Sequence, residues 1–455
     1  MKKLFNRALF LAMGFSAAMA LTACHSSSDE TPAPTPGPSV VVNDLEREVV
    51  VVTNVNPDEV WYNGRKLNTG EYTVIPNSDG TFTIIIHPAG GCATTSNIVI
   101  KKNGYDDQTF TVKFAEGEDE VTVRQDLMPT EVKVNLNDGN NGGTIDVTTG
   151  KTTGDIVVDN QGGNDKDNSE ASMEIDGGTT ITNEDGTAND GTGFSITAYI
   201  PPTEPDEDLN EEINSVGEGS GQQTSSDKNV EADLSVMAVR CNPDGISFTD
   251  DQGNPKEVTI RVSIPGSSDG FKLTCKNGNE ETPVSVDNND RATIKVTHFS
   301  DWIFDCEGEM TGIQLEHDPL ISGNFTNTTA GKVSKKVNFT KKVGNHVITM
   351  PSGLTTASQK LINTYLAAHL GAVTPFGTAA RTSSKSTNLA VDAMTRTDYE
   401  IYQTYKDITF RFPREKDGVA LDPYVVVVRQ YGEVKVSRTN TPYTGPVEEH
   451  VGGTE

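Results

Sequence analysis

At 455 residues the chain exceeds what one hydrophobic core ordinarily supports, so about two to four domains are expected. Hydrophobic residues make up 34% and aromatic residues 6%, low for a compact enzyme, while 42 Gly and 22 Pro suit short strands joined by turns. The formal charge is −28, or −31 (−28 − 3) if Lys2, Lys3 and Arg7 are lost with a leader; such a surface repels phosphate backbones and anionic headgroups and excludes nucleic acid as an expected partner.

Lys2, Lys3 and Arg7 precede an apolar run from Ala8 to Ala20, and Leu21-Thr22-Ala23-Cys24 follows, with small residues just before a cysteine. The run is too short, and too soon followed by Ser and Asp, to span a bilayer. This order resembles the bacterial lipoprotein signal with its lipobox. The resemblance implies a signal peptide over residues 1–23, lipidation of Cys24 and attachment to a lipid bilayer through its acyl chains, which hold firmly when several are present. Residues 24–38, rich in Ser and Pro, read as the lipidated Cys and a solvated tether. Asp29-Glu30 resembles the export tag of surface lipoproteins from the Bacteroides group, which implies an outer-membrane protein displayed outward.

Residues 39–130 alternate strand and turn. Val49 to Val52 is a continuous apolar run, and Asn63-Gly64 sits between strand-like flanks as a hairpin turn. Asp79-Gly80 leads into Thr81–Ile86, and Asn97–Lys101 and Thr109–Phe114 follow around Asn103-Gly104-Tyr105. With Asp79-Gly80-Thr81-Phe82 and Gly104-Tyr105, this stretch resembles the carboxypeptidase-regulatory-like or transthyretin-like β-sandwich. That family implies spacing or adhesion.

Residues 131–306 begin with a polar middle to about Asn229, whose acidic and Gly-rich stretches bury too little apolar surface to offset ordering entropy. Strand islands interrupt it at 143–147, 155–158 and 194–200. Alternation is clear at Ile294 and Val296 against Thr293, Lys295 and Thr297. Gly142-Gly143-Thr144, Ile200-Pro201-Pro202, Pro243–Phe248 and His298-Phe299-Ser300 together resemble the β-sandwich domain of zonula-occludens proteins, ankyrins and netrin receptors, with an acidic insertion after Pro202. In some members the triplet cleaves itself. This implies His298 as base on the Ser300 hydroxyl, attack on the Phe299 carbonyl, and hydrolysis of the resulting ester. The residues alone also fit a strand end with Phe299 packed inward and His298 and Ser300 hydrogen-bonded. Both readings stay open.

Residues 307–455 read as an α+β region resembling no known family. Strands are expected at 333–340, 344–350, 408–412, 424–428 and 433–437, and a polar loop at 382–387. A helix N-capped by Ser358 would bury Leu361, Ile362, Tyr365, Leu366 and Leu370 and stop at Gly371. The fold class is therefore mainly β: tandem β-sandwich domains and a C-terminal α+β region with one clear helix.

Other chemistry is sparse. One disulfide among Cys241, Cys275 and Cys306 is compatible with an oxidising compartment, Cys92 remains, and no C-x-x-C pair offers zinc or redox chemistry. Gly266-Ser267-Ser268-Asp269-Gly270 matches a nucleophile elbow in letters but lacks the following helix, and reads as a hairpin loop. A calcium loop from Asp159 to Glu170 has Asn164 where Gly is needed. His87, His317, His346, His369 and His450 show no metal spacing, and His369 on the helix reads as a boundary residue, not a ligand. Glycan capture wants exposed aromatic platforms, and Trp61 and Trp302 both fall in strand patterns. The expectation is a non-enzymatic scaffold, adhesin or binding module with no cofactor or metal and a protein or glycan ligand. The alternatives are self-cleavage and accessory glycan binding.

Overall fold

The computed structural model describes residues 47–77, 80–115, 120–201, 206–218, 222–343, 346–370, 381–416 and 418–446. The leader, Cys24, the tether, Asp29-Glu30 and Asp79 lie outside them. The chain is mainly β, built from tandem sandwiches with two α-helices among the described residues.

The N-terminal sandwich has two four-stranded sheets. Its central strand, Glu48–Thr53, lies antiparallel to Phe82–Ile86 and parallel to Glu120–Arg124, so the Val49–Val52 run has strand neighbours on both edges. Asn63 and Gly64 adopt φ of 47° and 78°, the left-handed pair that a tight hairpin turn requires. Val49, Val51, Ile84, Ile86, Ile98, Ile100 and Phe114 form a core separate from the rest of the chain.

The second sandwich packs two five-stranded sheets. Phe194, Phe248, Phe299, Trp302 and Phe304 fill its interior at 0–1% exposure. Its polar first half is more ordered than composition implies. Leu136, Ile145, Ile156, Val158, Met173 and Ile175 are all buried, each short element giving one to three side chains to a shared core. Asx-type bonds supply the rest: Asp159 accepts backbone N–H groups from Gln161, Gly163 and Asp165, which spends both its oxygens on the 160–165 loop. In the acidic insertion, α1 (Glu207–Ser215) is N-capped by Asp206 and buries Leu209 and Ile213.

The 266–270 segment is not a hairpin loop. The strands it joins, Val258–Ser263 and Leu273–Asn277, belong to different sheets, and a 3-10 turn carries the chain between them. The four described cysteines are free and buried, so no bridge joins Cys241, Cys275 and Cys306. Their positions explain this. Cys275 lies opposite Phe304 and Cys306 opposite Leu273, a diagonal offset, while Cys241 lies at the other end of the neighbouring strand, its N–H on Ser300 O. Burial raises the thiol of Cys275 to about 12 and that of Cys92 to about 11.

The apolar core runs on past residue 306 into Met310, Ile313, Leu361, Tyr365, Leu366, Ile408, Phe410 and Val428. The C-terminal part centres on three antiparallel strands, Glu309–Asn327, Thr395–Lys416 and Val419–Pro442, of 19, 22 and 24 residues. The expected strands at 408–412, 424–428 and 433–437 are fragments of the last two; with one side open to solvent, polar residues alternate along them and hide their length. The expected loop at 382–387 is part of the strand Arg381–Val391, which pairs with Val333–Val343 as a hairpin. The helix α2 (Thr356–Leu370) lies between these two strands in sequence. Thr355, not Ser358, caps it, its hydroxyl accepting the Ser358 N–H.

Candidate functional site

The triplet His298-Phe299-Ser300 connects the strand Arg291–Val296 in one sheet of the second sandwich to Asp301–Cys306 in the other. Phe299 is 0% exposed and packs edge-on against Phe248 and Phe194, with ring centroids 4.8 and 6.0 Å away. Its N–H donates to Ile246 O at 3.1 Å, and its carbonyl accepts the Gly245 N–H at 3.3 Å. His298 Nε2 lies 2.8 Å from Glu280 Oε2, Nδ1 lies 3.5 Å from Phe299 O, and the ring stacks at 5.4 Å on Trp302.

Thus the fold brings together the imidazole, the Phe299 carbonyl and one backbone donor on that carbonyl. Neither ring nitrogen of His298 is hydrogen-bonded to the Ser300 hydroxyl. Glu280, which holds the imidazole, was not picked out in the sequence. It sits on a hairpin whose Gly278-Asn279 turn is the local signal in the sequence.

A second constellation lies on the long sheet. Ile408 and Phe410 point into the core, so Asp407 and Tyr405 face away from it. Tyr405 is paired with Tyr431 and Asp407 with Arg429 on the neighbouring strand. Arg429 donates to both Asp407 oxygens at 2.7 Å, and its guanidinium sits 3.7 Å from the Tyr405 ring centre. The Tyr405 and Tyr431 rings meet edge-on at 6.2 Å, and Tyr402 meets His317 at 5.1 Å. All three tyrosines and Arg429 are half-buried. The Asp407 hydrogen bonds hold the guanidinium firmly charged, and partial burial raises the phenols of Tyr405 and Tyr431.

These tyrosines lie in alternating strand stretches, where nothing in the sequence separates an exposed ring from a packed one. Trp302 is 0% exposed and is no aromatic platform, while Trp61 is half-buried with Lys101 5.7 Å over its ring. His369, in the last turn of α2, lies inside the core and not at its boundary. It is 6% exposed, and its Nε2 and the Tyr365 hydroxyl both donate to Ala232 O. Elsewhere, a cavity of about 330 Å³ opens between the N-terminal sandwich and the hairpin, lined by Arg47, His87, Glu120 and Lys385 among others. No group of three or more potential metal ligands occurs among the described residues.

The fold defines an elongated, multi-sheet β protein, and comparisons take it no further. No family model and no curated protein matches the chain. Among solved structures it is similar to a candidate pore-forming toxin from Bacteroides vulgatus, at 10% identity over 48% of this chain and 84% of that one, with a TM-score of 0.19. A candidate membrane-associated protein of unknown function from Bacteroides fragilis is 9% identical over 87% and 99%, TM-score 0.19. The parasporin-2 toxin of Bacillus thuringiensis is 12% identical over 30% and 76%, TM-score 0.16. Superpositions this loose carry no argument about the present chain.

Proposed function

We propose that this chain is a lipid-anchored outer-membrane protein that displays a ligand-binding sheet on a stack of β-sandwiches. The carrying observation is the fixed Tyr405–Arg429–Asp407–Tyr431 cluster on the open side of the long sheet. Rigid, half-exposed aromatic rings beside a locked ion pair offer contact area and hydrogen bonds with little ordering cost on binding. The ligand on this reading is a protein or a glycan, and the anchor is acylated Cys24.

Two measurements test it. Cells fed labelled palmitate should label the wild type and not Cys24→Ala; equal labelling overturns the anchor. A glycan array and a surface-protein pull-down should yield a ligand whose affinity falls about tenfold or more in Tyr405→Ala, the size of a binding hot spot. A ligand held equally by that variant would move the site elsewhere.

A second reading is self-cleavage between Phe299 and Ser300, favoured by the Gly245 N–H already placed on the Phe299 carbonyl. Cleavage needs His298 to swing from Glu280 to the Ser300 hydroxyl. Intact mass of the wild type beside Ser300→Ala decides it. A fragment beginning at Ser300, absent from the variant, establishes processing, and one uncut chain in both overturns it.

A further inference from the structure

Charge is spread unevenly along this chain. It carries 65 Asp and Glu, yet none falls in the 73 residues from Pro319 to Val391, which hold seven Lys and Arg381. That block is +8 in a chain of −28, leaving −36 (−28 − 8) on the remainder. It contains the hairpin Val333–Val343/Arg381–Val391. Val337, Phe339 and Leu389 pin the inner face of this hairpin to Tyr399, Ile401 and Val436 of the long sheet. Its outer face presents Ser334, Lys336, Asn338 and Thr340 beside Ser384 and Asn388, all exposed. Lys335 lies 4.8 Å from the Phe325 ring centre, and Lys332 pairs with Asp392 at 3.3 Å. Among the described residues, neither Lys336 nor Lys342 has a carboxylate partner.

We propose that this hairpin is a docking surface for anionic lipid headgroups, and that it turns the acidic remainder of the protein away from the bilayer. Charge complementarity carries the assignment. A segment of +8 flanked by −36 of opposite charge is attracted to an anionic layer only when it leads, and Lys336 and Lys342 are its cations on the outer strand positions. The cations are lysines in all but one case, point charges suited to a diffuse headgroup layer rather than to the bidentate grip of arginine on a single phosphate. Each basic side chain near such a surface strengthens binding about fivefold. The contact does not depend on the acyl anchor and would act beside it.

The test is flotation of the full chain carrying Cys24→Ala, which removes the acylation site, with phosphatidylcholine vesicles containing or lacking phosphatidylglycerol. Binding is expected only with phosphatidylglycerol and should fade as salt is raised. Lys336→Gln with Lys342→Gln should weaken it by about tenfold or more. Lys66→Gln with Lys295→Gln, an equal charge loss on the sandwiches, should leave it unchanged, and matching melting curves check that all variants fold. Equal flotation with neutral vesicles, or equal binding by the Lys336/Lys342 variant, overturns the proposal. So does retention on heparin or RNA without vesicle binding, which would assign the face to an acidic polymer. Palmitate labelling at Cys24 is read independently, so the anchor reading survives a negative result here.

Discussion

Individual side chains separate the two readings of the triplet. Phe299 fills the sandwich interior, so Phe299→Ala should cost about 3–5 kcal/mol in a denaturant titration. Ser300 is half-buried with no side-chain partner among the described residues, so Ser300→Ala should stay within about 0.5 kcal/mol of wild type. A larger loss would mean that the hydroxyl holds the strand end. His369 makes a different prediction. Burial pushes its imidazole below the usual histidine range, and its Nδ1 has no partner, so the fold holds it neutral. The unfolded chain then binds the extra proton, and stability is full above about pH 6.5 and lost as pH falls through that value toward the lower folded one. Melting temperatures should drop more steeply with acid in the wild type than in His369→Gln; parallel curves would refute this. The inward packing of Phe299 was legible from the sequence as one of two options, because an aromatic between alternating strand ends has few other places to go. Glu280 and Ala232, the partners that fix His298 and His369, were not, since nothing local ties residues 18 and 137 positions apart.

Among elements, α2 is the joint between the second sandwich and the long sheet. Its first turn is held by Asp269, whose carboxylate accepts the Thr355 and Ser358 hydroxyls while its backbone carbonyl takes two bonds from Arg414. Gly266 closes the approach with φ +87°, and an added Cβ would lie 2.6 Å from the Ala357 carbonyl oxygen. Gly266→Ala should therefore cost at least about 1–3 kcal/mol and raise amide exchange across α2 more than elsewhere. Unchanged exchange in α2 would mean that the turn does not hold the helix. The existence and apolar face of α2 were readable from its spacing. The pairing of Val333–Val343 with Arg381–Val391 was not, because a partner strand beyond an intervening helix leaves no local mark and Thr382–Thr387 contains no apolar residue. In the polar middle the expected islands at 143–147, 155–158 and 194–200 hold strands, whereas Lys151–Thr152 and Thr180–Thr182 lie outside them, each contributing too little apolar surface to be seen alone.

On the scale of the whole molecule, two large cores stand beside the small one under the hairpin among the described residues. The N-terminal sandwich closes its own, while the second core spans residues from Leu136 to Val428 and ignores the break expected at residue 306. Calorimetry should resolve two transitions, and the smaller should persist in residues 47–130 expressed alone. A single transition would require the cavity between the N-terminal sandwich and the hairpin to be a stronger seam than its polar lining implies. Net charge proved the least informative property at this scale. The value of −28 read as repulsion from every anionic surface, but it averages a cationic hairpin into an acidic chain.

The long strands have a mechanical consequence. At about 3.3 Å per residue they are roughly 60–80 Å long, with their near ends in the shared core, and Asn327, Thr395 and Pro442 meet at the far end. A pull between that tip and the sandwiches runs along the strands and across their ladder bonds. Those bonds shear together instead of opening one after another, so the sheet bears tension as a stiff strut. Flow or contact at the tip is then passed to the sandwiches and whatever holds them, with little stretch in between.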